Sequence, residues 1–556
     1  MNTDASGAYE AEEGAERADR RALVLYGLLT FLAFPHELPF ETGLSVDLGL
    51  VATWLVPAAL VVGIDGLSPR RAFRAAFVAS FLAHTIFFYW FMVVVVIYAG
   101  MPFLLSLLAP VVPALYVAPF TALFAWAFAR FARPGLPGIL LGAALWVAVD
   151  WARGHFLGGF PWATLGYGLH LDVPLLGWTR IGGVYVLSCA AAAFGLALAA
   201  WWLDRSASRR RGLLVVAGTV LAAHVPGWWL GSDTGVAHET VRVAAIQGNI
   251  DQRQKWDAER REKIFATYLR LTDEAAAQAD WIVWPETAVP GFIEHDSGLR
   301  IRLERLARAG EVSLVVGGMG LEVESQPERH YVYHDSAFLF DSESGLEDRY
   351  DKTHLVPFGE YVPLRDFFGR FFQALATGLS DNDVTPGGRP RNFVMRVTAD
   401  GGERRLVGAP ICYELIFPDL VRRMGGEGAT ALLAITNDAW YGRTGAPHQF
   451  LAMTAMRAAE NGLPIVRAAN TGVSALIDAR GRVLSRSPLF EEAVVAGEIE
   501  IPKERAPTFY ARHGDVFAAG CAAVWVFSAG WGLFRERRTH QTSDAGVQRA
   551  DRSDDD

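Results

Sequence analysis

A chain of 556 residues has room for more than one domain, and 51% of it is apolar. Its formal net charge of −9 argues against a nucleic-acid binder, which needs a basic face. The apolar residues are unevenly spread: 22–230 is almost continuously hydrophobic, 235–512 has the mixture of an ordinary soluble domain, and one more apolar run covers 515–534.

In chain order, a polar leader, 1–21, comes first, with no evident cleavable signal peptide. A helix of about 20 residues crosses the ~30 Å hydrocarbon core of a bilayer. Apolar length then predicts eight spans, near 22–36, 46–64, 75–97, 102–128, 138–152, 175–203, 213–230 and 515–534. Arginine collects on alternate connections: Arg17, Arg20 and Arg21; Arg70, Arg71 and Arg74; Arg130 and Arg133; Arg205 and Arg209 to Arg211; Arg535, Arg537 and Arg538. Cytoplasmic loops carry such an excess. Both ends are therefore expected inside, and the domain between spans seven and eight outside. The expected division is a membrane domain over 22–234, an extracytoplasmic domain over 235–512, an eighth span over 513–534 and a disordered cytoplasmic tail over 535–556.

The outer domain alternates strand and helix patterns. "VRVAAIQGNI", "WIVWPE", "VSLVVGG", "YHDSAFLFD", "LVGAPICYE" and "ALLAITND" are short, apolar or alternating, and rich in β-branched residues. Between the first two, Ile264, Tyr268, Leu271 and Ala275 recur at helical spacing, with Asp257 as the expected N-cap. Leu299, Leu303 and Leu306 mark a second helix. Strands alternating with helices predict an α/β domain.

Cys189 and Cys521 fall within expected spans, leaving Cys412 alone in the outer domain. An unpaired cysteine outside the cell membrane is either a small buried core residue or a reactive thiol. Three stretches place polar groups where strands end: "WIVWPETAVP" with Glu286, "YDKTHLVPFGEYVP" with Lys352 and Glu360, and "GAPICYELIFPD" with Cys412. A glutamate, a lysine and a cysteine suffice for acyl transfer. The carboxylate takes the thiol proton, the sulfur attacks, and the ammonium faces the oxyanion, a donor worth about 3–4 kcal/mol of barrier. Histidine is then dispensable; His354, His448 and His513 read as structural or surface groups. "GGMG" (317–320) is a strand-end turn rather than a dinucleotide fingerprint, and no zinc-ligand spacing or HExxH is present. Among charges in the expected spans, Arg180 and Asp150 stand out. Arg180 is a candidate for an interfacial phosphate contact or for snorkelling.

These stretches, together with "QGNIDQRQKWD", "TNDAWYG", "RAANTGVSALID" and "TFYARHGD", resemble the apolipoprotein N-acyltransferase family of the nitrilase, or carbon–nitrogen hydrolase, superfamily. The resemblance covers almost the whole chain. It implies an αββα sandwich, set outside the bacterial cytoplasmic (inner) membrane on a multi-pass α-helical membrane domain of eight spans. It further implies that Glu286 is the general base, Lys352 the oxyanion-stabilising cation and Cys412 the nucleophile. Glu360, Tyr413 and Glu414 would support the site. Trp256 would stand at the substrate entrance, Trp162 on an outer loop between spans five and six, and Asn437 and Trp440 along the pocket.

The reaction implied begins with attack of Cys412 on a phospholipid acyl ester and leaves a thioester. The α-amino group of an S-diacylglyceryl-cysteine apolipoprotein then takes the acyl chain. No metal, cofactor or nucleic acid is implied. Because the thioester must be kept from water, lids are expected at "FFGRFFQALATGL" (367–379) and "AWYG". Two alternatives stay open at this point: a membrane-anchored amidase or nitrilase acting on a small amide, and a transporter or receptor with a decayed outer domain.

Overall fold

The computed structural model describes residues 17–37, 44–97, 100–232, 236–257, 259–324, 330–361, 384–398, 403–504 and 506–550. Segment 367–379, the expected lid, lies outside them. The first half of the chain is helical: α1 Arg20–Leu32, α2 Gly49–Ile64, α3 Pro69–Phe87, α4 Trp90–Ile97, α5 Phe103–Ser106, α6 Val111–Phe131, α7 Gly135–Arg153, α8 Val173–Leu176, α9 Thr179–Gly182, α10 Val184–Leu203 and α11 Ala207–Leu230. Short strands β1 His36–Glu37 and β2 Ser45–Val46 pair after α1.

Small residues let these helices approach closely, as membrane helices do. A Cβ on Gly195 of α10 would meet Pro57 Cβ of α2 at 2.9 Å, and one on Gly63 would meet Leu23 of α1 at 2.5 Å. Among the described residues, five helical segments are long and apolar enough to cross a membrane: Phe103–Phe131, Gly135–Arg153, Val184–Leu203, Ala207–Leu230 and Val516–Arg535. A sixth counts if α3 and α4, bent by 51° at their junction, form one span. α11 exposes Leu214, Val215, Leu221, Val225, Trp228 and Trp229, an apolar flank that water would not tolerate.

The expected count of eight spans is therefore not reached by length. α1, N-capped by Asp19, whose carboxylate accepts from the backbone of Arg21 and Ala22, has 13 residues. That is about 20 Å, short of the hydrocarbon thickness. α2 is also shorter than a full span. The predicted span 175–203 is shorter in the structure. Only α10 is a long helix, because Gly183 takes φ +61° and ends α9, while Glu460 Oε1 of the outer domain accepts from Val184 N at 2.8 Å and caps α10. Arg180 thus lies at the domain junction rather than inside a span, and donates to Ala479 O at 3.2 Å. Asp150 is satisfied internally, by Arg153 at 3.2 Å and by Ser188 at 3.3 Å.

The outer domain contains β3 His238–Gln247, β4 Trp281–Val283, β5 Val289–Phe292, β6 Ser313–Glu324, β7 His330–Asp341, β8 Gly345–Asp351, β9 Asn392–Arg396, β10 Arg404–Gly408, β11 Ala431–Thr436, β12 Ile465–Ala469, β13 Ala475–Ile477, β14 Val483–Arg486 and β15 Ala493–Pro502. They form two mixed sheets, ordered β15-β3-β4-β6-β7-β8 (with β5 beside β6) and β14-β13-β12-β11-β10-β9. β3, β4 and β6 run parallel in one, and β10, β11 and β12 in the other. Strand alternation decides the layers. Ala244, Ile246, Ile282, Leu314 and Phe338 pack under helices α12 Arg261–Ala276 and α13 Ser297–Gly310. Val243, Val283, Val315 and Leu339 face the second sheet's Phe393, Met395 and Val407. The expected Asp257 cap is not used; α12 starts after Arg260.

Helices α14 Pro418–Gly426 and α15 Ala446–Asn461 cover the second sheet, and α15 is buried along its whole length beneath the membrane domain. The apolar core runs unbroken from the membrane helices into this sheet. After α16 Phe509–His513, α17 covers Val516–Ala550. The backbone stays helical past the apolar run, where a disordered tail was expected from 535. Its Arg-, Gln- and Ala-containing continuation is compatible with helix by propensity.

Candidate active site

Glu286 follows β4, Cys412 follows β10 and Lys352 follows β8, so strand ends converge on one point between the sheets. Parallel strands place ligand sites at their carboxyl ends. Lys352 has no exposed side-chain surface. Its Nζ donates to Glu286 Oε1 at 2.8 Å, Glu360 Oε1 at 2.6 Å and Asp335 Oδ2 at 3.3 Å. Burial works against the ammonium, but these carboxylates outweigh it and hold its pKa well above the ordinary range. Burial alone would raise Glu286; Lys352 and the hydrogen bonds around the carboxylate instead bring it down to about 2. Asp335 moves the other way, pushed well up by burial and then by the Glu286 charge. Within this buried pair Glu286 is the carboxyl held ionised, and Asp335 the one whose charge is disfavoured. The oxygens of Glu286, Asp335 and Glu360 lie within 4.8 Å of one another, the kind of cluster that could hold a cation, and the Lys352 ammonium is already bonded to all three.

Cys412 opens a 3-10 turn, Cys412–Ile416, with φ +47°. A side chain in the left-handed region costs about 1–3 kcal/mol and persists only where its surroundings impose it. The thiol is 6% exposed and within hydrogen-bonding reach of the Glu286 carboxylate. Thr436 Oγ1 lies 3.5 Å from the sulfur, and the backbone N–H of Asn437 also points at it. Burial, then the Glu286 charge, raise the thiol pKa well above its ordinary value, against the pull of Lys352. The resting group is a thiol, not a standing thiolate, so a base has to act during attack.

Glu414, two residues on, is fully buried. Its Oε1 accepts from Tyr350 OH, Thr353 N and Thr353 Oγ1 at 2.7–2.8 Å, and its Oε2 from Ile411 N at 2.8 Å. It ties the residue after Lys352 to the residue before Cys412. Glu360 likewise fixes its own loop, accepting from Val356 N at 2.7 Å. Tyr413 is buried with its ring against Phe417 and His354. Asn437 Nδ2 donates to Gln252 Oε1 at 2.6 Å, and Trp440 is partly exposed just beyond it. Trp256 stands 54% exposed beside the site.

Trp162 lies in the segment between α7 and α8 and is buried there. It is 2% exposed, donates Nε1–H to Gln449 of α15 at 2.8 Å and packs on Trp90, Tyr441 and Phe450. It is a domain-junction residue. Sequence reasoning missed Asp335 and Lys255. Asp335 sits in an alternating strand where it reads as a solvated face; Lys255 stands next to the more conspicuous Trp256. His448 contacts Glu37 at 3.3 Å, and His354 stacks on Phe417.

A Glu–Lys–Cys cluster at the strand ends of a two-sheet α/β domain is that of a carbon–nitrogen hydrolase, and residues 242–506 match that family model. Residues 26–197 match the apolipoprotein N-acyltransferase N-terminal domain. Among named proteins, the chain is 35% identical over 542 residues to the apolipoprotein N-acyltransferase of Geobacter metallireducens, covering 94% of this chain and 97% of that one. It is 31% identical to that of Vibrio vulnificus, covering 93% and 97%. An amidase from Nesterenkonia sp. is similar in structure at 21% identity and a TM-score of 0.34, covering 49% of this chain and 95% of that one. The chain belongs to the apolipoprotein N-acyltransferase family.

Proposed function

We propose that the protein transfers a fatty acyl chain from a phospholipid to the N-terminal α-amino group of an S-diacylglyceryl-cysteine apolipoprotein, through a thioester on Cys412. In the first half-reaction Glu286 takes the thiol proton as sulfur bonds to the ester carbonyl carbon. The oxyanion faces the Lys352 ammonium, and the proton passes to the departing lysophospholipid oxygen. In the second, the acceptor amine attacks the thioester, Glu286 takes the amine proton, and the sulfur leaves and is reprotonated. Trp256, Trp440 and Asn437 line the approach to the sulfur, and Glu360, Tyr413 and Glu414 keep the three reacting groups in place.

The observation that carries this reading is the thiol of Cys412, held in a strained turn beside an ionised Glu286 and Lys352, in a domain fused to apolar helices. Both substrates are lipids, so a membrane platform brings them to the site. We take the helices as eight crossings of the bacterial inner membrane: α1, α2, bent α3–α4, α5–α6, α7, α10, α11 and α17. The alternation of arginine supports a catalytic domain on the periplasmic side. Incubating the purified protein with isotope-labelled phospholipid and a diacylated lipopeptide, then weighing both products, tests the reaction. Labelled triacylated peptide and lysophospholipid in equal amounts are expected, and neither with Cys412→Ala. A Cys412→Ala protein that still transfers the chain would overturn it.

A further inference from the structure

Segment 251–256, "DQRQKW", is a turn beside the site whose last two side chains differ sharply in exposure. Trp256 is exposed and Lys255 completely buried. The segment is pinned by Gln252, whose Oε1 accepts from Asn437, the residue whose backbone N–H points at the sulfur. Lys255 Nζ donates to the Glu286 carbonyl oxygen at 3.1 Å and to Thr287 Oγ1 at 2.6 Å. Among the described residues its hydrogen bonds go to these neutral oxygens, and a buried ammonium so placed is expensive unless negative charge lies close by.

The peptide it holds is strained. Thr287 has φ +45°, a genuine outlier for a β-branched residue. The same segment is pressed against Gly317 of β6, where a Cβ would meet Pro285 O at 2.2 Å and Glu286 Cα at 2.7 Å. The base is thus clamped between a glycine and an ammonium. Charge points the same way. The carboxyl groups of Glu286, Asp335 and Glu360 gather around the single ammonium of Lys352, and Lys255 brings a second cation to the same cluster. The groups facing Lys255 electrostatically are Glu286, Asp335 and Cys412, with Lys352 and Glu360 behind them and Tyr441 on the side of the sulfur. Burial is the main reason its own pKa falls, to about 8, so near neutrality it still carries its proton.

We propose that Lys255 is a positioning residue for acyl transfer, clamping the Glu286–Thr287 peptide so that the carboxylate aims at Cys412 and adding a second positive charge that favours the thiolate. The inference rests on Cys412 as the nucleophile. The first readout needs no acyl transfer: the full-length protein in detergent is titrated with iodoacetamide, and alkylation of the Cys412 peptide is followed by mass spectrometry across pH; kcat and KM for acyl transfer are the second. Lys255→Met is expected to raise the alkylation midpoint by about one pH unit or more. It should also lower kcat about tenfold or more with KM nearly unchanged. Lys255→Arg, keeping the charge, should hold the wild-type midpoint. Thr287→Val, which removes an acceptor and keeps the ammonium, should lower kcat without moving the midpoint. A wild-type midpoint and kcat in folded Lys255→Met overturns the proposal, and so do equal losses in the Met and Arg variants with no shift of midpoint. Should Lys255→Met not fold, Thr287→Val decides: a lowered kcat supports the clamp and an unchanged kcat overturns it. Acyl transfer by Cys412→Ala would count against the nucleophile and not against this clamp.

Discussion

Replacing Glu414 with Gln changes one atom and removes the charge, yet it should cripple acylation. Four donors converge on this carboxylate: Tyr350 OH, Thr353 N and Thr353 Oγ1 on one oxygen, and Ile411 N on the other. A glutamine can accept on one side only. The orientation that loses least turns the amide NH2 toward Ile411 N, setting two buried donors against each other. Losing that charge-assisted bond is worth about 1.5–3 kcal/mol, and an orphaned buried donor costs about 1–3 kcal/mol. The strain falls on Ile411, the residue before the nucleophile, whose φ of +47° depends on imposed geometry. A displacement of about 1 Å at a reacting atom lowers a rate about a hundredfold. Single-turnover acylation by a labelled phospholipid, read as protein-bound label, should therefore slow by about that factor while phospholipid binding is unchanged. Acylation at the wild-type rate would refute the reasoning, because the brace would then not set the position of the sulfur.

Three further outcomes follow from the same geometry. Gly317→Ala would drive a Cβ into Pro285 O and Glu286 Cα, so it should abolish acylation while leaving the protein in the membrane; wild-type single-turnover acylation is the contrary result. Trp162→Phe removes the bond to Gln449 at the domain junction; a loss of about 1 kcal/mol, seen as a lower melting temperature, is expected with little change in KM. The Glu286 carboxyl is held down at about 2, from 4.5 when unperturbed, so its ionised contacts stabilise the fold above pH 4.5 and are lost as pH falls toward 2. The melting-temperature gap between wild type and Glu286→Gln should accordingly shrink over that window, and a gap independent of pH would contradict the assignment.

Much of the outer domain was legible because many of its strands are short apolar runs that stop at proline or glycine, and Glu286 and Cys412 stand just after such runs; Lys352 follows the charged strand β8 and was marked only by the proline- and glycine-containing loop after it. What alternation could not reveal is which polar side chains turn inward. Asp335 lies in an alternating strand and reads as a solvated face, but its carboxylate reaches Lys352. Glu414 resembles a first-turn acid and is instead a cross-brace between two loops distant in sequence. Hydropathy also misled about length. It counts apolar residues and does not register that Gly183 reverses the chain inside the 175–203 run, or that α1 stops after 13 residues. Trp162 is expected on an outer loop between two spans, and nothing local in the sequence shows that contacts with α15, far along the chain, bury it there.

Intact-protein mass spectrometry after exposure to phospholipid alone, with no lipoprotein acceptor, tests the central claim most directly. One fatty acyl mass on the wild-type protein, mapped to Cys412 and released by hydroxylamine, is the predicted result. An unmodified protein that transfers the chain only when both substrates are present would contradict it.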